Sequence, residues 1–133
     1  MPTAIKLLTL LAVMVFSALS ASAEEKTPPA AAKPKQFVYV LRLVPRLHDD
    51  KAWTEADNAI IGRHFAHLKA ATGRGQLILA GRTLEPGDKT FGLVIFEAAD
   101  ATAARAFMNS DPSVAENIMT AELHPYAVAL RGK

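Results

Sequence analysis

The sequence predicts an α+β domain of ferredoxin-like βαββαβ order, on two observations. Segments rich in Val, Ile, Phe and Tyr alternate with amphipathic runs in the order strand, helix, strand, strand, helix, strand. Two helices can cover only one face of the resulting sheet, yet the first and third strands are apolar on both faces. The uncovered face is therefore expected to pack against a second copy of the chain, as a symmetric homodimer.

The chain opens with Lys6, an uncharged run "LLTLLAVMVFSAL" from Leu7 to Leu19, and then "SASA". This is the pattern of a secretory signal peptide over residues 1–23, with cleavage expected after Ala23 and a secreted or periplasmic product. The apolar run is shorter than the ~20 residues that cross a bilayer, so no membrane association is expected once the signal is removed. The stretch "EEKTPPAAAKPK", residues 24–35, has three prolines and no aromatic residue, and reads as a flexible Pro/Ala-rich linker. The folded domain is expected over residues 36–133.

"QFVYVLRLV" reads as the first strand, with Phe37, Tyr39, Leu41 and Leu43 on one face and Val38, Val40, Arg42 and Val44 on the other. "PRLHDDKA" reads as a loop. "TEADNAIIGRHFAHLKAAT" is a helix with Thr54 as N-cap and Asp57 three residues later, the spacing of a capping box. Gly73 and Gly75 end it. "QLILAG" is a second strand and "FGLVIFEA" a third. Between them "RTLEPGDKT" turns the chain, with Pro86-Gly87 suited to a type II turn. Asp100 caps a second helix, "ATAARAFMNS", and Pro112 opens a short helical turn in "DPSVAEN". "IMTAELHPYAVAL" is the last strand, weakened or bent at Pro125.

Charge excludes some functions. The chain carries 15 basic and 13 acidic residues, interspersed, with no basic stripe, so nucleic acid is not an expected partner. The absence of Cys removes disulfides, thiol chemistry and thiolate metal sites.

The chemistry-bearing feature is a pair of histidines three positions apart on the first helix. At about 100° per residue, Ile60, Ile61, Phe65 and Leu68 define an inward arc. His64 falls inside that arc and His67 at its edge. Three roles are open to them. A buried histidine can be a satisfied structural group. HxxH can supply two imidazoles to a metal, but the remaining candidates, Asp49, Asp50, Asp111 and His124, are scattered, and the ligand set is incomplete. Histidine also suits acid/base work near neutrality when a carboxylate fixes its tautomer. Asp111, at the start of "DPSVAEN", is such a carboxylate and also a natural N-cap for that turn, and the two roles are compatible. Tyr39, Arg42, Arg82 and Tyr126 are candidates for substrate contact, Arg42 as an anion ligand on an otherwise apolar strand face.

These segments resemble the YCII-related (YciI-like) family. The helix carries a His eleven residues before Gly75, followed by a strand ending in Ala-Gly. "ARAFMNSDPSVAENI" resembles the family's second helix running into Asp-Pro, and "ELHPYAV" its closing strand. The resemblance covers roughly Phe37 to Leu130. It implies a ferredoxin-like domain that pairs into a dimeric α+β barrel, with a His–Asp pair in a pocket. The family histidine falls on His64, not His67, and the aspartate on Asp111. One branch of the family resembles enzymes that remove chloride from chlorinated hydroxyquinols, and the wider fold includes muconolactone isomerases. Two departures stand out. Asn117 occupies a position where many members have Gly, and the signal peptide is absent from the familiar cytosolic members. The expectation is an exported, cofactor-free small-molecule enzyme with a His64–Asp111 acid/base pair and no metal. Its rival is a non-catalytic ligand-binding or structural dimer.

Overall fold

The computed structural model describes residues 32–133. The expected signal peptide, its cleavage site and most of the expected linker lie outside the described residues. The elements are β1 (Lys35–Leu43), α1 (Glu55–Gly73), β2 (Leu77–Arg82), β3 (Gly92–Ala98), α2 (Ala101–Ser110), the single turn α3 (Pro112–Ala115) and β4 (Met119–Tyr126). The strands form one antiparallel sheet in the order β2-β3-β1-β4. This is the ferredoxin-like arrangement expected from the sequence. β1 begins at Lys35, one residue inside the stretch read as linker, because Lys35 pairs with Ala98 at the end of β3.

Local chemistry fixes most element ends. Thr54 and Asp57 form the expected capping box: each side chain accepts from the other's backbone N–H. Gly75 takes the left-handed φ of 73° that ends α1, and Gln76 N–H donates back to Ala71 O at 3.0 Å. Asn117, at φ 57°, serves the same purpose after α3, as the departure from Gly at that position allowed. The segment read as a plain loop after β1 instead makes two short 3₁₀ turns, Pro45–His48 and Asp50–Ala52, the first of which buries Leu47. The type II reading at Pro86-Gly87 is met in its dihedral signs (Pro86 φ −80°, ψ 154°; Gly87 φ 59°), and a 3₁₀ turn Gly87–Lys89 follows.

Phe37, Tyr39 and Leu41 of β1, with Val94 and Phe96 of β3, face the helices. They pack against Leu68 and Ala71 of α1 and Ala104, Phe107 and Met108 of α2. Phe96 is the hub, with ring centroids 5.6 Å from Tyr39 and 4.7 Å from Phe107. The opposite sheet face carries Val38, Val40, Leu93, Ile95 and Leu79. It is less bare than the strand pattern suggested. Val38 and Ile95 are buried, flanked within the sheet by each other and by long neighbours such as His124. Val40 and Leu93 are half-buried, and Leu79 is 57% exposed.

The inward arc of α1 differs from the expected one. Phe65 is 67% exposed, whereas Asp57, Leu68 and Ala71 are buried. Residues 57, 64 and 71 are seven apart and so share a stripe, which centres the arc on His64. Phe65 then lies about 100° off that centre and His67 only about 60° off. An arc drawn through the large hydrophobes alone was rotated toward Phe65, because it left out the buried carboxylate Asp57 and the small Ala71.

Candidate active site

Three parts of the chain build the site. The first is α1, whose start is clamped to the sheet. Arg46, in the turn after β1, makes a bidentate pair with Asp57, with Nη1 donating to Oδ2 at 2.9 Å and Nη2 to Oδ1 at 2.6 Å. The Arg46 bonds, with those from Thr54, hold the Asp57 carboxyl far below the usual carboxylate range. This pins the rotation of α1 and hence the direction in which His64 points, two turns later.

The second part is the Asp-Pro junction. A residue before proline is disfavoured in the α region. Asp111 is accordingly extended (φ −62°, ψ 122°), ends α2, and caps α3 with its side chain. It is fully buried. Its Oδ1 accepts from the backbone N–H of Ser113 at 3.0 Å and the Ser113 hydroxyl at 2.8 Å. The third part is β1, whose Tyr39 hydroxyl donates to Asp111 Oδ2 at 2.7 Å.

His64 completes the cluster, with its Nδ1 2.7 Å from Asp111 Oδ1 and its side chain 15% exposed. Burial pushes the Asp111 pKa up, but the bonds and charge from His64, with the donors Tyr39 and Ser113, outweigh it and leave the carboxyl below its ordinary value. Asp111 is therefore ionised at neutral pH and can only accept, so His64 Nδ1 carries the proton and donates. In the neutral imidazole, Nε2 then holds the free lone pair, and among the described residues it makes no hydrogen bond. The arrangement can take a proton at Nε2 and hold the resulting imidazolium against a buried anion. Asp111 itself has no such freedom. Both of its oxygens are engaged, by donors from β1, α1 and α3.

A model of the YCII-related domain matches residues 39–123, more than half of the chain and the whole span from Tyr39 past Asp111. The chain belongs to the YCII-related domain family. A structure of 5-chloro-2-hydroxyhydroquinone dehydrochlorinase (TftG) from Burkholderia phenoliruptrix AC1100, in complex with 2,5-dihydroxybenzoquinone, superposes with a TM-score of 0.54. The two are 17% identical over 69% of this chain and 93% of that one. A mutant of SnoaB, a cofactor-independent oxygenase from Streptomyces nogalater, aligns over 75% of this chain and 97% of that one. It is 14% identical, with a TM-score of 0.39, too loose to argue from. The likeness to TftG is one of fold. No curated protein matches the chain.

Of the other expected site residues of this YCII-related domain, the structure brings only Tyr39 to the pair, and not as a substrate contact. Its ring is wholly buried and its hydroxyl is spent on Asp111. Arg42 alternates to the opposite sheet face, where its guanidinium sits over the Phe91 ring at 5.4 Å and borders a shallow depression with Val40, Thr120 and Glu122. It is not beside His64 within this chain. Arg82 is exposed at the end of the edge strand β2. Tyr126, 45% exposed, lines a separate depression with Lys35, Phe37, Ala101 and Pro125. The strand period had separated Tyr39 from Arg42 already, since odd and even positions of β1 face opposite ways.

Sequence reasoning missed Ser113, whose hydroxyl and backbone both serve Asp111. Its position two after an aspartate, the spacing of an Asx turn, was the available signal. His67 also departs from its reading as a fringe residue. Its ring stacks on Phe107 (centroids 4.9 Å, 28° between planes), and its Nε2 is buried with no hydrogen-bond partner among the described residues. Burial pushes its pKa down against the pull of Asp111, and His64 and Arg74 add to the lowering. Among the described residues no three His, Asp or Glu side chains cluster closely enough to hold a metal. His124 lies away from the pair, 3.3 Å from Glu122 on β4.

Proposed function

We propose that this chain is an exported, cofactor-free small-molecule enzyme. In this reading His64 moves a proton on a phenol, lactone or carbonyl substrate, and Asp111 orients and charge-stabilises the imidazole. The observation that carries it is the 2.7 Å bond from His64 Nδ1 to a buried carboxylate, with Nε2 making no hydrogen bond among the described residues. Nε2 takes a proton from substrate O–H or C–H, the imidazolium is held by Asp111, and the same proton returns to another substrate atom. The hydrogen-bonded Asp111 need not move during the cycle, so the anion is already oriented when positive charge develops.

Export is supported by the apolar run and small residues that end at Ala23. Pairing of two copies through the open sheet face is supported by the apolar residues there, Leu79, Val40 and Leu93, and by the small core of one domain. The compound bound to TftG makes quinone- and quinol-type molecules the first probes to try.

The test is a thermal-shift screen of the mature protein against 2,5-dihydroxybenzoquinone, quinols, lactones and aromatic acids, repeated with His64→Asn. The expected result is a compound that stabilises the wild type, is turned over, and does neither with the variant. A compound that stabilises both proteins equally would place the binding elsewhere. A His64→Asn protein that merely unfolds, with no ligand found for the wild type, would leave the pair a structural network.

A further inference from the structure

Asp111 offers its two oxygens unequally. Oδ1 accepts from His64, from Ser113 N–H and from the Ser113 hydroxyl. Oδ2 accepts from Tyr39 alone among the described residues. We infer that Tyr39 is a positioning residue of the pair: its phenol holds part of the Asp111 charge on Oδ2 and so limits how strongly Oδ1 pulls on the His64 Nδ1 proton. This rests on the His64–Asp111 reading above and adds a third member to it.

First, the two oxygens of a carboxylate share one charge. A donor at Oδ2 therefore draws density from Oδ1 and weakens the acceptor facing His64, an effect magnified where water is absent. Both Tyr39 and Asp111 are fully buried, so no solvent competes. Second, the phenol stays a donor. Burial, and then the adjacent negative charge, push the Tyr39 pKa far above its ordinary value, so the proton remains on its oxygen. Third, the ring cannot swing away. It is wedged against Phe96 and Phe107, at centroid distances of 5.6 and 6.3 Å. Its hydroxyl thus fixes the carboxylate plane from the sheet side while Ser113 fixes it from α3.

A tyrosine that only filled space would not alter the electronic state of His64, and that difference is measurable without a substrate. The experiment follows the His64 Nδ1 proton by NMR in the ¹⁵N-labelled mature protein. In Tyr39→Phe, Oδ1 becomes the stronger acceptor, and the resonance is expected to move downfield. The opposite perturbation uses 3-fluorotyrosine, whose more acidic phenol donates more strongly and should move the resonance upfield. The chain has two tyrosines, so a Tyr126→Phe background confines the label to Tyr39.

Opposite displacements establish the role. An unmoved resonance in a folded fluorotyrosine protein overturns it. If Tyr39→Phe does not fold, the fluorotyrosine protein, which keeps the phenol and nearly its volume, decides alone. A wild type with no hydrogen-bonded Nδ1 proton on His64 overturns the His64–Asp111 reading itself and this role with it. A bonded proton that ignores Tyr39 overturns this role only.

Discussion

The hydroxyl of Tyr39 and the carboxylate of Asp111, 72 positions apart in the chain, meet at 2.7 Å with no exposure to solvent. That bond ties β1, an inner strand of the sheet, to the junction between the last two helical segments, and His64 reaches the same carboxylate from α1. A buried ion is tolerated only when its hydrogen bonds are complete, so the elements that carry the site are held together by the site.

Removal of Asp111 is therefore expected to be costly. Asp111→Ala leaves the Tyr39 hydroxyl and both Ser113 donors facing an apolar gap and removes the α3 cap. A loss of about 3 kcal/mol is expected in urea denaturation. Asp111→Asn should recover only part of this, because its amide NH₂ can face Tyr39 only if the phenol turns to accept, or His64 only in its other tautomer, and the negative charge is lost either way.

His67→Phe is expected to stabilise the fold. The change keeps an aromatic ring against Phe107 and removes a buried nitrogen that no group among the described residues satisfies. The gain should be about 1 kcal/mol, read as a higher denaturation midpoint at unchanged slope. A loss of stability would show that His67 Nε2 has a partner after all.

The pH dependence follows from His67 and from the two depressed carboxyls, Asp111 and Asp57. The folded His67 resists protonation, so below its ordinary value of about 6.5 the unfolded chain takes up a proton that the fold does not, and stability falls. Asp111 is also lowered, so its contribution is intact above the ordinary carboxylate range and is lost only as pH drops through its folded value. Thermal midpoints should thus decline in two stages on acidification. His67→Phe should abolish the first stage, which begins below the ordinary histidine value, and leave the second.

Arg63 of α1 also pairs with Glu116, just after α3, at 2.5 Å, yet both side chains are about half exposed (52% and 44%). Exposed pairs contribute about 0–1 kcal/mol. Arg63→Ala is expected to change stability by less than any substitution at Asp111, and the small difference should vanish at high salt.

Leu79→Glu tests the proposed pairing. A charge at this exposed apolar position should halve the mass seen by light scattering, while the far-UV spectrum stays that of the wild type. A mass unaffected by the change would put any interface elsewhere.

The type and order of the elements are legible in the amino-acid sequence. Strand alternation, the Thr54–Asp57 box, Gly75, Asp100 and the Asp111-Pro112 junction are local signals, each with its own short-range chemistry, and each stands where it was expected. The separation of Tyr39 from Arg42 was legible too, because the strand period is a property of the backbone. Only the tertiary structure decided which polar groups meet. That Tyr39 serves Asp111 rather than a substrate, that Ser113 completes the carboxylate, and that His67 turns inward while Phe65 does not, depend on how α1 is rotated. That rotation is set by the contact of Arg46 with Asp57 and by the packing of Ala71 against the sheet, and the large hydrophobes of α1 do not report it.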